Sequence, residues 1–450
     1  MAPGRPNSTL PFGNMLSKAM VALNLRDSRD EYKKVSSEED GQVAMFSEPS
    51  GYQEQQEDAG EAVGLMGGAA VPIRHKRKSG ICVWYGTDCS LFWKAFGIIL
   101  AILAVWSGFR LIRWAVAPRR SGLEKMPAFS TSLGCVGAHY VYKGVSDFHV
   151  PISSQFRDHS IDIHGGAKGT ITVLQGAPSD VMVRYEVNIR TDNKDLLTDL
   201  EGRRVFSYPT GNSDGTAPES RLRISTPYPK DGACMRYDVK MFIPPTLKKL
   251  NIASHTVTHV QFDPDSDIQI EDLILTLFTV NPNNMVLPHN SFKADRMSLE
   301  VIQGWIVGDV SISSSTKLGT QRGNGVINVR AHPTPATGPG QKATLQTLSG
   351  VGRTDVFYVE GDKTIHRPIS ALHISSMQNN VYLNYRESNF KGRIELSAPR
   401  STITGQIQRL TEGVTQKNPW THWFGDQHGE DELVARSLTG WVGMYFEMGC

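Results

Sequence analysis

"SLEVIQGWIVGDVSIS" (298–313) is followed, after two serines, by "TKLGTQRGNGVINVRA" (316–331). In each, apolar residues alternate with polar ones, a short polar corner holding glycine intervenes, and alternation resumes. Period two marks a strand with one buried face. The form returns in "ATLQTLSGVGRTDVFYV" (343–359), "ALHISSMQNNVYLNYR" (371–386), "RIELSAPRSTITG" (393–405) and "LVARSLTGWVGMYFE" (433–447). Strand starts at Leu250, Leu273, Leu299, Leu318, Leu345, Leu372 and Ile394 lie 19 to 27 residues apart. One strand–corner–strand unit cannot bury its apolar face alone, whereas stacked units share a continuous core. The expectation is an all-β, β-solenoid-like repeat domain, with a β-sandwich as the alternative. Gly304, Gly323, Gly350 and Gly440 fall at corners, where glycine tolerates positive φ. Ser311, Ser313, Thr320, Asn328, Thr347, Asn384 and Ser397 are expected on outward positions.

Upstream, "DVMVRYEVNIR" (180–190) puts Val181, Val183, Tyr185, Val187 and Ile189 on one face, and "RYDVKMFIP" (236–244) does the same with Tyr237, Val239, Met241 and Ile243. "NKDLLTDLEGRR" (193–204) suggests a turn or two of helix. The β domain therefore extends over 139–450. Its units resemble the adhesin-like β-repeat domains of unknown function found widely in bacteria. They resemble more closely a fungal group in which such a domain follows a disordered tail and one membrane span. The matching stretches are "LGTQRGNGVINVRAHP" (318–333), "LQTLSGVGRTDVFYV" (345–359), "NFKGRIELSAPRSTITG" (389–405) and "ARSLTGWVGMYF" (435–446), with "MFIPPTLKKLNIAS" (241–254) like the group's lead-in. The resemblance covers 240–446 well and 140–240 weakly, and "SSMQNNVYL" (375–383) departs from it by lacking the corner glycine. It implies a fold and a role in adhesion, and it supplies no catalytic residues.

"LFWKAFGIILAILAVWSGF" (91–109) is a different kind of segment. Nineteen residues at helical rise cover about 29 Å, the thickness of a bilayer's hydrocarbon core. Its one charge, Lys94, sits near an end, and Trp84, Tyr85, Trp93, Trp106 and Trp114 flank it as interfacial aromatics do. A single transmembrane helix is expected within 81–117. It begins too deep in the chain for a signal peptide's apolar region. A linker, 118–138, follows, with Pro118 ending the helix.

Residues 1–80 read as a disordered polar tail, with eleven acidic and three basic residues between Asp27 and Glu61. The basic cluster Arg74, Lys76, Arg77 and Lys78 is placed to contact anionic lipid at roughly 1 kcal/mol per residue, if that side is cytosolic. Lys and Arg counts on the two flanks nearly tie, four in 71–90 against five in 110–129. The acidic tail suits the cytoplasm, so an N-in, C-out orientation is favoured. The five cysteines (Cys82, Cys89, Cys135, Cys234, Cys450) are too scattered for a disulfide framework or a zinc site, and whether Cys135 and Cys234 pair is left open.

Searches for chemistry return little. Net charge is +2, so no global field argues for nucleic acid. His255 and His259 would chelate zinc on a helix, but on a strand that spacing is about 13 Å. "HGGAKGT" (164–170) lacks the phosphate-loop pattern and reads as a hairpin turn. "HWFGDQHGED" (422–431), with His422, Asp426, His428, Glu430 and Asp431, reads as a solvated loop. Asp309 in "GDVSI" and Asp355 in "TDVFY" look equivalent, with Val326 between them, which would set them two rungs or roughly 9–10 Å apart. That suits an inverting glycosidase. The expectation is nonetheless a non-enzymatic, single-pass membrane protein without metal or cofactor. Its expected partners are the lipid bilayer, cell-wall polysaccharide and surface proteins. A cytosolic-face scaffold and a carbohydrate-active β-helix enzyme are the alternatives.

Overall fold

Alternation in the sequence becomes alternation of burial. The computed structural model describes residues 83–84, 87–88, 90–116, 121–130, 133–201, 204–212, 214–229, 232–336, 338, 340–359, 366–410 and 419–447. The acidic tail, Cys82, Cys89, Cys450 and the cluster Arg74, Lys76, Arg77 and Lys78 lie outside the described residues.

Helix α1 (Ser90–Val116) holds the apolar run. Among the described residues it is the one helix long and apolar enough to cross a membrane. Ile98, Leu100, Ile102, Val105, Trp106 and Phe109 are exposed on it, so its surface is apolar without a polar face. A separate compact unit runs from Arg120 to Cys450. It is all-β apart from the short helix α2 (Lys194–Glu201), which stands where the sequence suggested one.

Strands β1 (Asp147–Ser153), β2 (Asp158–His164), β3 (Lys168–Gln175) and β4 (Met182–Thr191) precede α2. After it come β5 (Arg221–Ser225), β6 (Met235–Ile243), β7 (Lys249–Ser254) and β8 (Thr258–Phe262). Two long bent strands follow, β9 (Ile268–Leu287) and β10 (Phe292–Ile312). Next are β11 (Ser315–Thr320), β12 (Gly325–Pro333), β13 (Ala343–Ser349), β14 (Gly352–Val359), β15 (Ile369–Ser375) and β16 (Asn379–Glu387). The chain closes with β17 (Gly392–Ser397), β18 (Arg400–Thr404), β19 (His422–Phe424), β20 (Asp431–Ser437) and β21 (Trp441–Tyr445).

Each strand–corner–strand unit gives one strand to each of two ladders. The first half of β10 pairs with β11 and its second half with β12. From there β11 pairs with β13 and β12 with β14, parallel in both cases. Equivalent residues stack in register. In the first ladder one inward column reads Leu222, Ile161, Ile252, Leu275, Leu299, Leu318, Thr347, His373, Ala435 and Leu396. In the second, Val239, Ile171, Val260, Val286, Ile306, Ile327, Thr354, Val381 and Val442 line up likewise. The side chains of both columns meet in one buried cluster. Among the described residues of this unit, antiparallel pairing falls at the ends of the stack: β1, β4 and β6, with Tyr140–Val141 on β4, at one end of the second ladder, Phe206–Ser207 on β5 at that end of the first, and β17, β19 and Gln408–Arg409 at the far end of the first.

Spatial order departs from chain order at both ends. β2 lies between β5 and β7, and β3 between β6 and β8, so a unit early in the chain sits one rung inside the stack. At the other end β20 lies between β15 and β17, and β21 between β16 and β18. Asp431 pins this last insertion. It is fully buried, its Oδ1 accepting from Ile369 N (2.7 Å) and its Oδ2 from Lys391 N (2.6 Å), with His366 Nε2 2.9 Å away. Thus Asp431 ties the heads of β15 and β17 to that of β20, and it is no part of a solvated loop.

The interior is not purely apolar. Buried His159 is hydrogen-bonded through Nδ1 to Ser220 (2.6 Å) and through Nε2 to Tyr185 (2.5 Å). His373, far along the stack, repeats this with Thr347 (2.8 Å) and Tyr385 (2.9 Å). Burial pushes both imidazoles down to a pKa of about 3, so both are held neutral. Thr347 and Thr320 therefore face inward rather than outward. Ser311 has outward parity but is covered, its hydroxyl donating to Phe292 O (2.8 Å).

Cys135 and Cys234 form a disulfide across 99 residues of chain. The stretch read as a linker is packed: Leu123, Met126 and Phe129 cover Met285, Trp305 and Val326 on the outer side of the second ladder. Ser121 O accepts from Asn328 Nδ2 at 3.4 Å, and the Phe129 ring lies 5.7 Å from that of His259. This strap crosses successive rungs on its way to Cys135.

Candidate functional site

Beyond the strap, the outer side of the second ladder is open. Register sets two adjacent transverse rows of outward residues there. One row runs Asp309, Arg330, Phe357, Asn384, Tyr445 and Thr404, and the next runs Val307, Asn328, Asp355, Tyr382, Gly443 and Thr402. Strand alternation explains the composition. Ile327, Val329, Val356, Leu383 and Met444 turn inward, which leaves the polar and aromatic residues between them outside.

The rings form a diagonal across three rungs. Phe357 and Tyr382 have centroids 5.8 Å apart, Tyr382 and Tyr445 4.6 Å, and the Arg386 guanidinium lies 5.7 Å over Tyr445. Beside them opens a groove of about 320 Å³ lined by Asn328, Arg330, Phe357, Val359, Asn384 and Glu387. It offers a ring face, two amides, a guanidinium and one carboxylate. Such a surface can stack against a flat, partly apolar ring and exchange hydrogen bonds with hydroxyls around it. A second groove of about 280 Å³ lies between Lys317, Gln321, Leu348, Gly350, Ile374 and Ser376, at the corner of the first ladder.

The paired-carboxylate reading meets a different register. Asp309 pairs with Arg330, and Asp355 pairs with Asn328 rather than following Val326. The two acids are thus two rungs apart and also displaced by two residues along the strands, or about 12 Å. That exceeds the glycosidase spacing. Each is also engaged. Asp309 Oδ1 takes His332 Nε2 at 2.8 Å. Asp355 is buried beneath Arg353 Nε (2.7 Å) and Asn328 Nδ2 (3.2 Å). Burial raises the Asp355 pKa, and the hydrogen bonds and charge of Arg353 oppose it.

The other sequence candidates scatter. His255 follows the end of β7 and turns to His164 of the neighbouring rung, with ring centroids 4.3 Å apart. His259 is buried on β8, its Nε2 2.8 Å from Asn283 O. The pair therefore belongs to different ladders. "HGGAKGT" is a corner between β2, which pairs with β5 and β7, and β3, which pairs with β6 and β8, so it makes no hairpin. His422 lies on β19 beside Thr421 (2.8 Å), its pKa lowered by burial first, and His428 is exposed.

The four corner glycines act in two ways. Gly304 and Gly323 have φ of 143° and 62°, a region closed to most side chains. At Gly350 and Gly440 an added Cβ would come within 2.2 Å of Gln321 O and 1.8 Å of Asn379 O, so there the need is close backbone approach between rungs.

No family model matches the chain, and no curated protein matches it. Solved structures similar to it include two from bacteria. One is a "putative cell adhesion protein" from Clostridium sporogenes, 9% identical with a TM-score of 0.23, the match covering 67% of this chain and 99% of that one. The other is a "putative adhesin" from Bacteroides fragilis, 12% identical with a TM-score of 0.27, covering 55% and 98% respectively.

Proposed function

We propose that this protein is a single-span membrane protein that displays a β-solenoid outside the cytoplasm, where it binds polysaccharide or surface proteins for adhesion or scaffolding without catalysis. The observation that carries the reading is the continuous outward face of the second ladder. Phe357, Tyr382 and Tyr445 alternate there with Asn328, Asn384 and Arg330 over neighbouring rungs. Stacking plus amide hydrogen bonding suits a sugar chain lying across the rungs, with weak contacts multiplied along its length. The Cys135–Cys234 disulfide favours the oxidising side of the membrane for the β domain, and with it a cytoplasmic N-terminus. The same disulfide disfavours the cytosolic-scaffold alternative. Against the enzyme alternative stands the displacement of Asp309 from Asp355.

The test is co-sedimentation of the detergent-solubilised protein with insoluble cell-wall glucan and chitin, beside an assay for released reducing ends. Binding without release is expected. Phe357→Ala or Tyr382→Ala alone should weaken it less than about fivefold, which is about 1 kcal/mol, and the pair together much more. Glycan cleavage that Glu387→Gln abolishes would replace binding by catalysis. Absence of binding to glycan and to intact cells alike would refute the adhesive reading. Protease protection on sealed vesicles, with tags at both ends, tests the orientation.

A further inference from the structure

Asp162 and His164 are two residues apart on the outward face of β2, and His255 follows β7 on the adjoining rung. His164 Nε2 lies 2.7 Å and His255 Nε2 3.7 Å from the same oxygen, Asp162 Oδ1. The three ligand atoms lie within 4.8 Å of one another. Asp162 is only 5% exposed, and its other oxygen, Oδ2, is taken by the Arg221 guanidinium from β5. Oδ1 is buried and accepts no hydrogen bond. His164 is near enough to it, but its N–H direction does not serve.

We infer that Asp162, His164 and His255 form a three-ligand site for a divalent transition metal of zinc's kind. In a tetrahedron with bonds of about 2.0 Å, ligand atoms stand about 3.3 Å apart. The two measured separations, 2.7 and 3.7 Å, lie on either side of that value. The two rings are stacked nearly parallel, with centroids 4.3 Å apart and planes 11° from each other, so a shared ion requires the half-exposed His164 ring to turn about its side-chain torsions and leave the stack. Arg221 fixes the carboxylate plane from behind, as outer partners of metal ligands do. Phe278 stacks on His255 at 4.6 Å and holds its ring from the other side.

The same surroundings choose the metal. Calcium or magnesium needs six or more oxygens, and the site offers one carboxylate oxygen. A second guanidinium, Arg223, stands 3.8 Å from Oδ2, so Coulomb attraction alone would not hold a hard cation there. Two imidazole nitrogens bind a borderline metal by directed bonds and meet that objection. The fourth position faces solvent, because the His164 and His255 side chains are 41% and 42% exposed. A water or a donor from a bound partner completes it. The site lies on the first ladder, apart from the aromatic groove, and the inference does not rest on glycan binding.

The experiment is calorimetric titration of EDTA-stripped full-length protein in detergent with zinc chloride, followed by cobalt as a spectroscopic substitute. A saturable zinc site in the micromolar range is expected, with the visible absorption of tetrahedral cobalt. His164→Ala and His255→Ala should each weaken binding at least tenfold and remove the cobalt band, and His428→Ala should do neither. Because both imidazoles are half exposed, the stripped variants should melt as the stripped parent does. His164→Gln, which keeps the bulk, provides a second variant with the same expected loss. Failure of the parent to take up micromolar zinc would overturn the inference. So would zinc binding that survives both histidine substitutions, or displacement of zinc by equimolar calcium.

Discussion

Replacing Asp431 by alanine tests the insertion of the last unit between its two predecessors. The carboxylate accepts one backbone N–H from the head of β15 and one from the head of β17, at 2.7 and 2.6 Å, with no exposure to solvent. Removal leaves the buried Ile369 N–H and the part-buried Lys391 N–H without their acceptor. Each orphaned donor costs about 1–3 kcal/mol, which gives roughly 3–5 kcal/mol if His366, at the edge, lets some water in. Against a total stability of about 5–15 kcal/mol this is a large fraction. Asp431→Asn retains one acceptor oxygen and should lose about half as much. Urea titration followed by tryptophan fluorescence reads the total, and hydrogen exchange with mass spectrometry reads its location. Protection should fall first in 369–397 and 431–445, leaving the column around Leu299 intact. A loss below about 1 kcal/mol, or protection lost evenly along the stack, would refute the claim that this carboxylate holds the rungs together.

Reducing the protein, or Cys135→Ser with Cys234→Ser, should cost up to about 4–5 kcal/mol, since the bond closes a loop of 99 residues; melting with and without dithiothreitol checks this. His159 and His373 are neutral in the folded state with pKa about 3, whereas an unfolded imidazole protonates near 6.5. Below about pH 6.5 the unfolded chain binds more protons, so stability should fall by about 1.4 kcal/mol per pH unit for each histidine, down to about pH 3. Denaturation midpoints between pH 7 and 5 should show that slope, and His373→Gln should reduce it. Gly440→Ala, facing a backbone oxygen, should cost about 2–3 kcal/mol, while Gly323→Ala, facing the movable Gln303 side chain, should cost only about 1 kcal/mol for its positive φ; thermal melts of both variants compare them.

The strands were legible because alternation is a local property. Val183, Tyr185, Val187 and Ile189 are buried as their spacing implies, though Val181 falls just outside β4 and is exposed. The corners at Gly323 and Gly350 were legible for the same reason. Neighbour relations were not. Nothing local to 158–175 or 431–445 says that each slots one rung inward, because parallel pairing is decided by contacts far away in sequence. The rows around Phe357 and the Asp162–His164–His255 cluster follow from those same neighbours, so they escaped notice. Asp309 and Asp355 looked equivalent because their local words match, yet register shifts them by two residues. Thr347 and Thr320 looked solvated because they are polar, but inside the stack hydroxyls face a histidine or a corner. Two cysteines 99 residues apart meet only once the rungs between them are built.

The strap and its disulfide also set where tension would travel. A pull arriving along the chain from α1 first meets the strap packed across the rungs, and then Cys135. There the sulfur bridge passes the force directly to Cys234 at the head of β6. Everything from 136 to 233, including β1 to β5 and α2, lies within the covalent loop that the bridge closes, so it cannot be drawn out along the chain even though β2 and β3 stay paired inside the stack. At about 3.4 Å per residue some 330 Å of chain is thereby withheld from extension. A molecule tethered to a membrane and gripped from outside would yield that length only after the bridge is reduced.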